Sequence, residues 1–387
     1  YARIKGALWD VLDVPCLTAE TLQEYAERHT VCPFELGLDS SLWSDVIIGD
    51  YNYLFDPVVH LVRFFESAGD YIFLVDEAHN LPGRAREMHS AALTKTSFYE
   101  AKKLLGKGKS SLKNTLTKVN DVFIEWRHRA EEETAARDGR FGKTFFLKER
   151  SEEFDHLLNR LCEPLEAWLD DHREPDETHT ALLQLYFDVR AWLRVADTFD
   201  DHFVLQITAS GSEVRAAQLC LDPSAFLADS FALGRAAVLF SATLAPASYY
   251  KDLCGVPEAR AVALRSPFPA GNQGLFCIGN VSTRYKDRDA SLAIVEESLA
   301  TMVRARCGNY LAFFPSYAYM EQAYAQFKEH CPEINCIKQE NAMDEQQKAA
   351  FLAQFVPGPS QPLLGFAVMG GVFGEGVDLT GDRLIGV

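Results

Sequence analysis

The feature that most constrains this chain is a change of hydrophobic period, made twice along its 387 residues. Up to about residue 85, and again after 201, short apolar runs rich in β-branched and aromatic residues are interleaved with amphipathic stretches. Between about 93 and 200 the apolar residues instead recur at three-and-four spacing, as in FDHLLNRLCEPLEAWLDDH. Strands alternating with helices require a parallel sheet, because each crossover returns a helix over one face. Three-and-four spacing makes amphipathic helix. The expected fold is therefore α/β: two doubly wound parallel-sheet units, the first carrying a mainly helical insertion. The boundaries fall at 1–90, 91–200, 201–260 and 261–387.

Expected strands are DVIIGDYNYLF, YIFLV, HFVLQITAS, AAVLF, GLFCIGNVS, GNYLAFFPS, NCIKQ and LLGFAVMGGVF; both of the first two read as buried. A helix is expected over 17–29, with Thr18 as its cap, and others near 290–306, 318–330 and 344–355. The longest apolar runs, such as 71–75 and 236–240, are too short to cross a bilayer, so no membrane association is expected. Nine scattered cysteines without a CxxC pair argue against a disulfide scaffold and for a reducing cytoplasm. The net charge of −17 means that any path for a polyanion is a narrow groove and not a broad basic face. The first residue is not Met and the last five, RLIGV, read as a strand, so the expectation is a piece of a longer protein.

Three local signals carry chemistry. In YIFLVDEAHN, Asp76 and Glu77 emerge at the carboxyl end of a strand, the edge where open α/β sheets bind ligands. One carboxylate there can hold Mg²⁺ through water while the other orients or deprotonates an attacking water, with His79 placed to relay nucleotide state. The blander reading is an acidic turn. In AAVLFSATL, Ser241 and Thr243 follow a second strand and can hydrogen-bond the neighbouring carboxylates, or simply cap a helix. In FAVMGGVFGEGVDLTGDRLIGV, Gly370, Gly371, Gly374 and Gly376 let the backbone approach a phosphate or sugar, with Glu375 and Asp378 among them.

The order DEAH, SAT, FFPSY, GEGVD resembles the motif series of superfamily-two helicases. The insertion between DEAH and SAT is similar to the Arch domain of the XPD/DinG branch of iron–sulfur DEAH-box DNA helicases. VCPFELGLDSSLWSDVIIGDYNYLFDP, STRYKDR and GNYLAFFPSY look like further parts of that branch. The resemblance implies two RecA-like motor domains, ATP and Mg²⁺ as cofactors, and single-stranded or forked DNA as partner. It also implies monomeric action, 5′-to-3′ travel and a role in DNA repair or replication in a bacterial-type, nucleoid-associated cytoplasm.

By position, the resemblance implies that Asp76 serves Mg²⁺ and Glu77 the hydrolytic water, with His79 beside them. Ser241 and Thr243 would couple hydrolysis to motion. Glu375, Gly376 and Asp378 would sit at the cleft between motors, near both nucleotide and strand. Asn52, Tyr53, Ser316 and Tyr317 would meet DNA, although ordinary strand packing explains Tyr53 as well. Cys32 would be an iron–sulfur ligand, whereas Cys16 is an alternative that plain burial explains better. No GxxxxGK[ST] occurs, nor the Arg-bearing motif expected after the last motor strand, so the chain itself is expected to be cluster-free and not to hydrolyse ATP appreciably. Turnover by the purified chain comparable to an intact helicase would contradict this. An ATP-driven translocase that does not unwind, and a non-catalytic motor remnant that grips single strands, remain alternatives.

Two further features favour dull explanations. Trp126, Trp168 and Trp192 sit in helical patterns and read as core. Lys102, Lys103, Lys107, Lys109 and Lys113, with Arg127 and Arg129, form the best basic patch, which a solvated helix face explains equally well.

Overall fold

The computed structural model describes residues 3–106, 110–136, 143–282, 284–374 and 377–387. The chain divides into two compact units, residues 1–263 and 264–387.

The first unit opens with three short helices, Ile4–Val11, Ala19–His29 and Pro33–Ser41, packed through Ala7, Val11, Ala26 and Leu36. Thr18 caps the second by accepting the Thr21 N–H, as expected, and Cys32 precedes Pro33 at the start of the third. DVIIGDYNYLF is not a strand. Residues 45–50 are irregular, with Ile48 95% exposed, and Asn52–Phe55 forms one helical turn. That turn lets Tyr51, Leu54 and Phe55 face one side and pack beside Phe231, a contact that alternation in a strand would split across two faces.

Strand β1 (Ile72–Val75) pairs in parallel with β6 (Ala236–Leu239), in register from Ile72 opposite Ala236 to Val75 opposite Leu239. The expectation that β1 is buried fails on one face. Val75 is 5% exposed, but Ile72 and Leu74 are 53% and 69% exposed. Among the described residues β1 and β6 make a two-stranded sheet, and only the face over the helix Leu81–Met88 and the helix Ser224–Phe231 is covered.

The insertion is not as purely helical as its periodicity suggests. Strands β2 (Ala91–Thr94), β3 (Lys143–Leu147), β4 (Phe203–Ser210) and β5 (Glu213–Cys220) form an antiparallel sheet in the order β2-β5-β4-β3. The hairpin 203–220 therefore hydrogen-bonds with the insertion, so the sheet's own limit lies near Cys220, beyond the boundary expected at 200. Long helices Ser111–Ala136 and Glu177–Thr198 pack on this sheet, and Glu152–Asp171 packs against both of them. Phe98, Phe123, Phe145, Phe154 and Trp192 are fully buried between them, each contributing about 1.5–3 kcal/mol. Trp126 joins that core at 8% exposure, and Trp168 packs at its edge, stacked on His172. Of the basic patch, Lys107 and Lys109 lie outside the described residues. Arg129 pairs with Glu133 at 3.0 Å and lies over the Phe145 ring, which suits a solvated helix face.

The second unit holds a parallel sheet in the order β7-β9-β8, from β7 (Asn309–Phe314), β8 (Asn335–Lys338) and β9 (Leu363–Val368). All six residues of central β9 are buried, as a parallel strand covered on both faces requires. Helices Arg288–Ala305, Tyr317–His330 and Glu345–Ala353 match expectation closely. GLFCIGNVS does not form a strand: residues 274–278 are irregular, with Leu275 and Phe276 88% and 92% exposed, because no ladder partner accompanies them among the described residues. No helix among the described residues is long and apolar enough to cross a membrane.

Candidate functional site

Parallel pairing of β1 and β6 brings two strand ends together that lie more than 160 positions apart in the chain. Backbone bonds lock the turn: the Phe240 N–H donates to Val75 O at 3.0 Å, and the Ala78 N–H donates to Phe240 O at 3.1 Å. Ala78 is fully buried, whereas the two carboxylates that precede it face outward. Asp76 and Glu77 are both exposed, and Asp76 Oδ1 accepts the Glu77 N–H at 2.7 Å.

The side chains expected to work together do meet. The Ser241 hydroxyl donates to Glu77 Oε2 at 3.1 Å, and His79 Nδ1 lies 2.8 Å from Ser241 Oγ and 3.2 Å from Glu77 Oε2. Thr243 completes the turn through its N–H, 3.2 Å from Ser241 Oγ. One hydroxyl thus bridges the two strand ends, with an imidazole seated against both partners.

Tyr51 was missed by sequence reasoning, which chose its neighbours. Its hydroxyl donates to the backbone carbonyls of Asp76 and Glu77, at 3.0 Å in the second case. Burial, with the carboxylates of Asp76, Glu77 and Asp50 nearby, raises its pKa and so keeps the donor protonated. Asn52 Oδ1 is buried without a partner, and Tyr53 lies so close over Gly49 that a Cβ there would stand 2.7 Å from its ring. Packing therefore accounts for much of the position of Tyr53. Beside Tyr51 is an open cleft of about 460 Å³, lined by Gly49, Asp50, Asn80, Gly83, Arg84 and Glu87.

Glu77 itself is strained, at φ +44° and ψ 40°. Left-handed backbone costs an L-residue about 1–3 kcal/mol and persists at working sites. Glu77→Gly is accordingly expected to leave the first unit about 1 kcal/mol more stable than Glu77→Ala, reversing the usual order of these residues. Equal denaturation midpoints for the two variants would remove the strain argument.

In the second unit Ser316 caps the helix Tyr317–His330, accepting the Tyr319 N–H, and Arg288 donates to the same hydroxyl at 3.3 Å. Tyr317 accepts a hydrogen bond from Gln339, a residue that sequence reasoning passed over. Asp378 is exposed; Glu375 and Gly376 lie outside the described residues.

The donor chemistry can be tested against the implied groups. Exposed, adjacent carboxylates at a sheet's carboxyl edge fit Mg²⁺ held through water, with Asp76 the nearer to a bare acceptor and Glu77 committed in part to Ser241. A four-thiolate cluster does not fit the residues at hand: Cys16 and Cys32 are the only cysteines in the first 161 residues, and both are exposed. Among the described residues no group of three or more His, Cys, Asp or Glu is placed to hold a metal, and His60, His156 and His202 belong to no such cluster.

The family model described as DEAD_2 matches residues 7–98, and that described as Helicase C-terminal domain matches residues 299–387. These matches bracket the DEAH turn at one end and the three parallel strands at the other. Both matches, with the relatives below, make the chain similar to the XPD-like helicases of superfamily two. It is 24% identical over 400 residues to the XPD helicase subunit of general transcription and DNA repair factor IIH from Schizosaccharomyces pombe, covering 85% of this chain and 50% of that one. It is 21% identical to the ATP-dependent DNA helicase CHL1 of Coccidioides immitis, covering 94% of this chain and 48% of the relative. The chain thus spans about half the length of these curated relatives. The solved structure of S. tokodaii Xpd4 superposes with a TM-score of 0.50 at 17% identity, over 91% of this chain and 70% of that one, a likeness of fold.

Proposed function

We propose that the whole protein is an ATP-dependent DNA helicase that translocates on single-stranded DNA, 5′-to-3′, and unwinds duplex during repair or replication. The observation that carries this reading is the bridge from Glu77 through Ser241 to His79, which ties the acidic strand end to its neighbour. Mg²⁺, when bound, would neutralise nucleotide phosphate charge. Asp76 would hold it through water. Glu77 would orient the attacking water and take its proton on the carboxylate, while Ser241 and His79 keep that carboxylate aimed. Any movement of the turn after β6 would then reach the Glu77 carboxylate through the Ser241 hydroxyl, beside the backbone bonds that already join the two strands, which is how Ser241 and Thr243 would couple hydrolysis to motion.

Asn52, Tyr53, Ser316 and Tyr317 would contact the DNA strand, and Glu375, Gly376 and Asp378 the nucleotide. Cys32 would supply one thiolate of an iron–sulfur cluster whose set these residues do not complete; a visible absorbance band lost in Cys32→Ser checks this in the protein expressed from its whole reading frame. Forked DNA as the preferred substrate, action as a monomer and a cytoplasmic, nucleoid-associated site belong to the same proposal.

The deciding experiment measures ATP turnover of that whole protein with and without single-stranded DNA, together with strand displacement on a fork. DNA-stimulated turnover with displacement is expected. Stimulated turnover without displacement would make the protein a translocase, and turnover indifferent to DNA would refute the reading.

A further inference from the structure

The carboxyl ends of β7, β8 and β9 share one edge of the second unit's sheet, and Gln339, the residue directly after β8, joins them. It is 1% exposed. Its Oε1 accepts the Val368 N–H at 3.0 Å, at the end of β9, and its own N–H donates to Phe366 O at 2.8 Å. Its Nε2 lies 2.7 Å from the hydroxyl of Tyr317, just past β7. The glycine turn that follows β9 closes over this amide: a Cβ at Gly371 would stand 2.9 Å from Gln339 Nε2 and 3.0 Å from Val368 O. A side chain at 371 would therefore collide with Gln339.

These contacts determine a polarity. Amide oxygen and nitrogen are ordinarily interchangeable by a flip. Here a backbone N–H can only donate, so the oxygen must face Val368 and the NH₂ must face Tyr317. The Tyr317 oxygen then accepts a hydrogen bond from Gln339, and its own phenolic hydrogen is left to point elsewhere.

We propose that Gln339 is a positioning residue that fixes Tyr317 as an outward hydrogen-bond donor to a phosphate of the single-stranded nucleic acid. This rests on the DNA-binding reading above and adds to it the group that orients the contact. A buried amide suits the task because it brings no charge toward a polyanion, and its second contact holds the glycine turn beside the same ligand edge.

The test is a double-mutant cycle in the protein expressed from its whole reading frame, read as the dissociation constant for a fluorescent oligothymidine at fixed salt. Tyr317→Phe is expected to weaken binding about tenfold, the worth of one hydrogen bond to a charged acceptor. Gln339→Glu turns the neighbour into an acceptor that captures the phenolic proton, so it should weaken binding at least as much. In the Tyr317→Phe background the same change should cost only the added charge, about twofold at moderate ionic strength. Gln339→Met, which keeps the volume without charge, provides the same comparison if the carboxylate unfolds the unit, and thermal midpoints identify that case. A merely structural role predicts equal losses in both backgrounds, and that result would overturn the role of Gln339 while leaving DNA binding intact. Absence of oligothymidine binding by the unsubstituted chain would instead overturn the donor role together with the nucleic-acid reading.

Discussion

Glu77→Gln is expected to lower ATP turnover by about 10²- to 10⁴-fold in the whole protein, the range by which a positioned general base contributes. The amide keeps the shape of the carboxylate and can still accept the Ser241 hydroxyl, now 3.1 Å from Glu77 Oε2. It cannot take a proton from water. Nucleotide affinity should therefore change little while turnover collapses, separating this variant from Asp76→Asn, which should weaken Mg²⁺-dependent nucleotide binding first. Turnover surviving within tenfold of the unsubstituted protein would remove Glu77 from the proposed role. The comparison draws its force from the bridge itself, since Ser241 and His79 keep the substituted side chain near the original position.

A comparably large effect, on stability, is expected in the insertion. Trp192→Ala should destabilise it by about 3–5 kcal/mol, because a fully buried indole is lost from a packed aromatic cluster with Phe154 and its neighbours. The indole also donates Nε1–H to Asp155 Oδ1 at 2.8 Å, inside the core, where Asp155 is 5% exposed and its other oxygen has no hydrogen-bond partner. Trp192→Phe keeps most of the packing and isolates that bond, at about 1.5–3 kcal/mol. Burial raises the Asp155 pKa, against the opposing pull of the Trp192 bond and of Arg150, 3.9 Å away. A folded value above the unfolded one means that folding favours the protonated carboxyl. The stability it confers is present below the unfolded value of about 3.9 and declines as pH rises through the folded value. Asp155→Asn retains an acceptor for Trp192 and should flatten this slope. Urea unfolding followed by tryptophan fluorescence, repeated across that pH window, checks both substitutions; a slope unchanged in Asp155→Asn would contradict the assignment.

Much of the architecture could be read from local pattern. The helices after residue 288 sit within a few residues of expectation because their apolar spacing and caps, such as the Asp344–Gln347 capping box, are short-range properties. The errors fall where an apolar run lacks a ladder. Residues 45–50 and 274–278 have strand composition, yet a strand exists only through hydrogen bonds to a neighbour, and composition does not say whether that neighbour is there. Of the hairpin 203–220 only the first strand was legible; its second strand, Glu213–Cys220, and the strands Ala91–Thr94 and Lys143–Leu147 that complete the sheet were not, since their partners lie far away in the chain.

Tyr51 and Gln339 show why parts of a site stay hidden. Each acts through a backbone group or a hydroxyl brought near only by tertiary contact, which the residues next to it in the chain do not reveal. By itself the sequence determined the residue types at the strand ends, the periods of strand and helix, and the order of the motifs, all of which depend on covalent neighbours. Only the tertiary structure decided that Glu77, His79 and Ser241 share one hydrogen-bonded cluster, that one face of β1 is exposed, and which way the amide of Gln339 points. Those outcomes depend on groups from distant parts of the chain arriving within about 3 Å, the range at which a hydrogen bond forms.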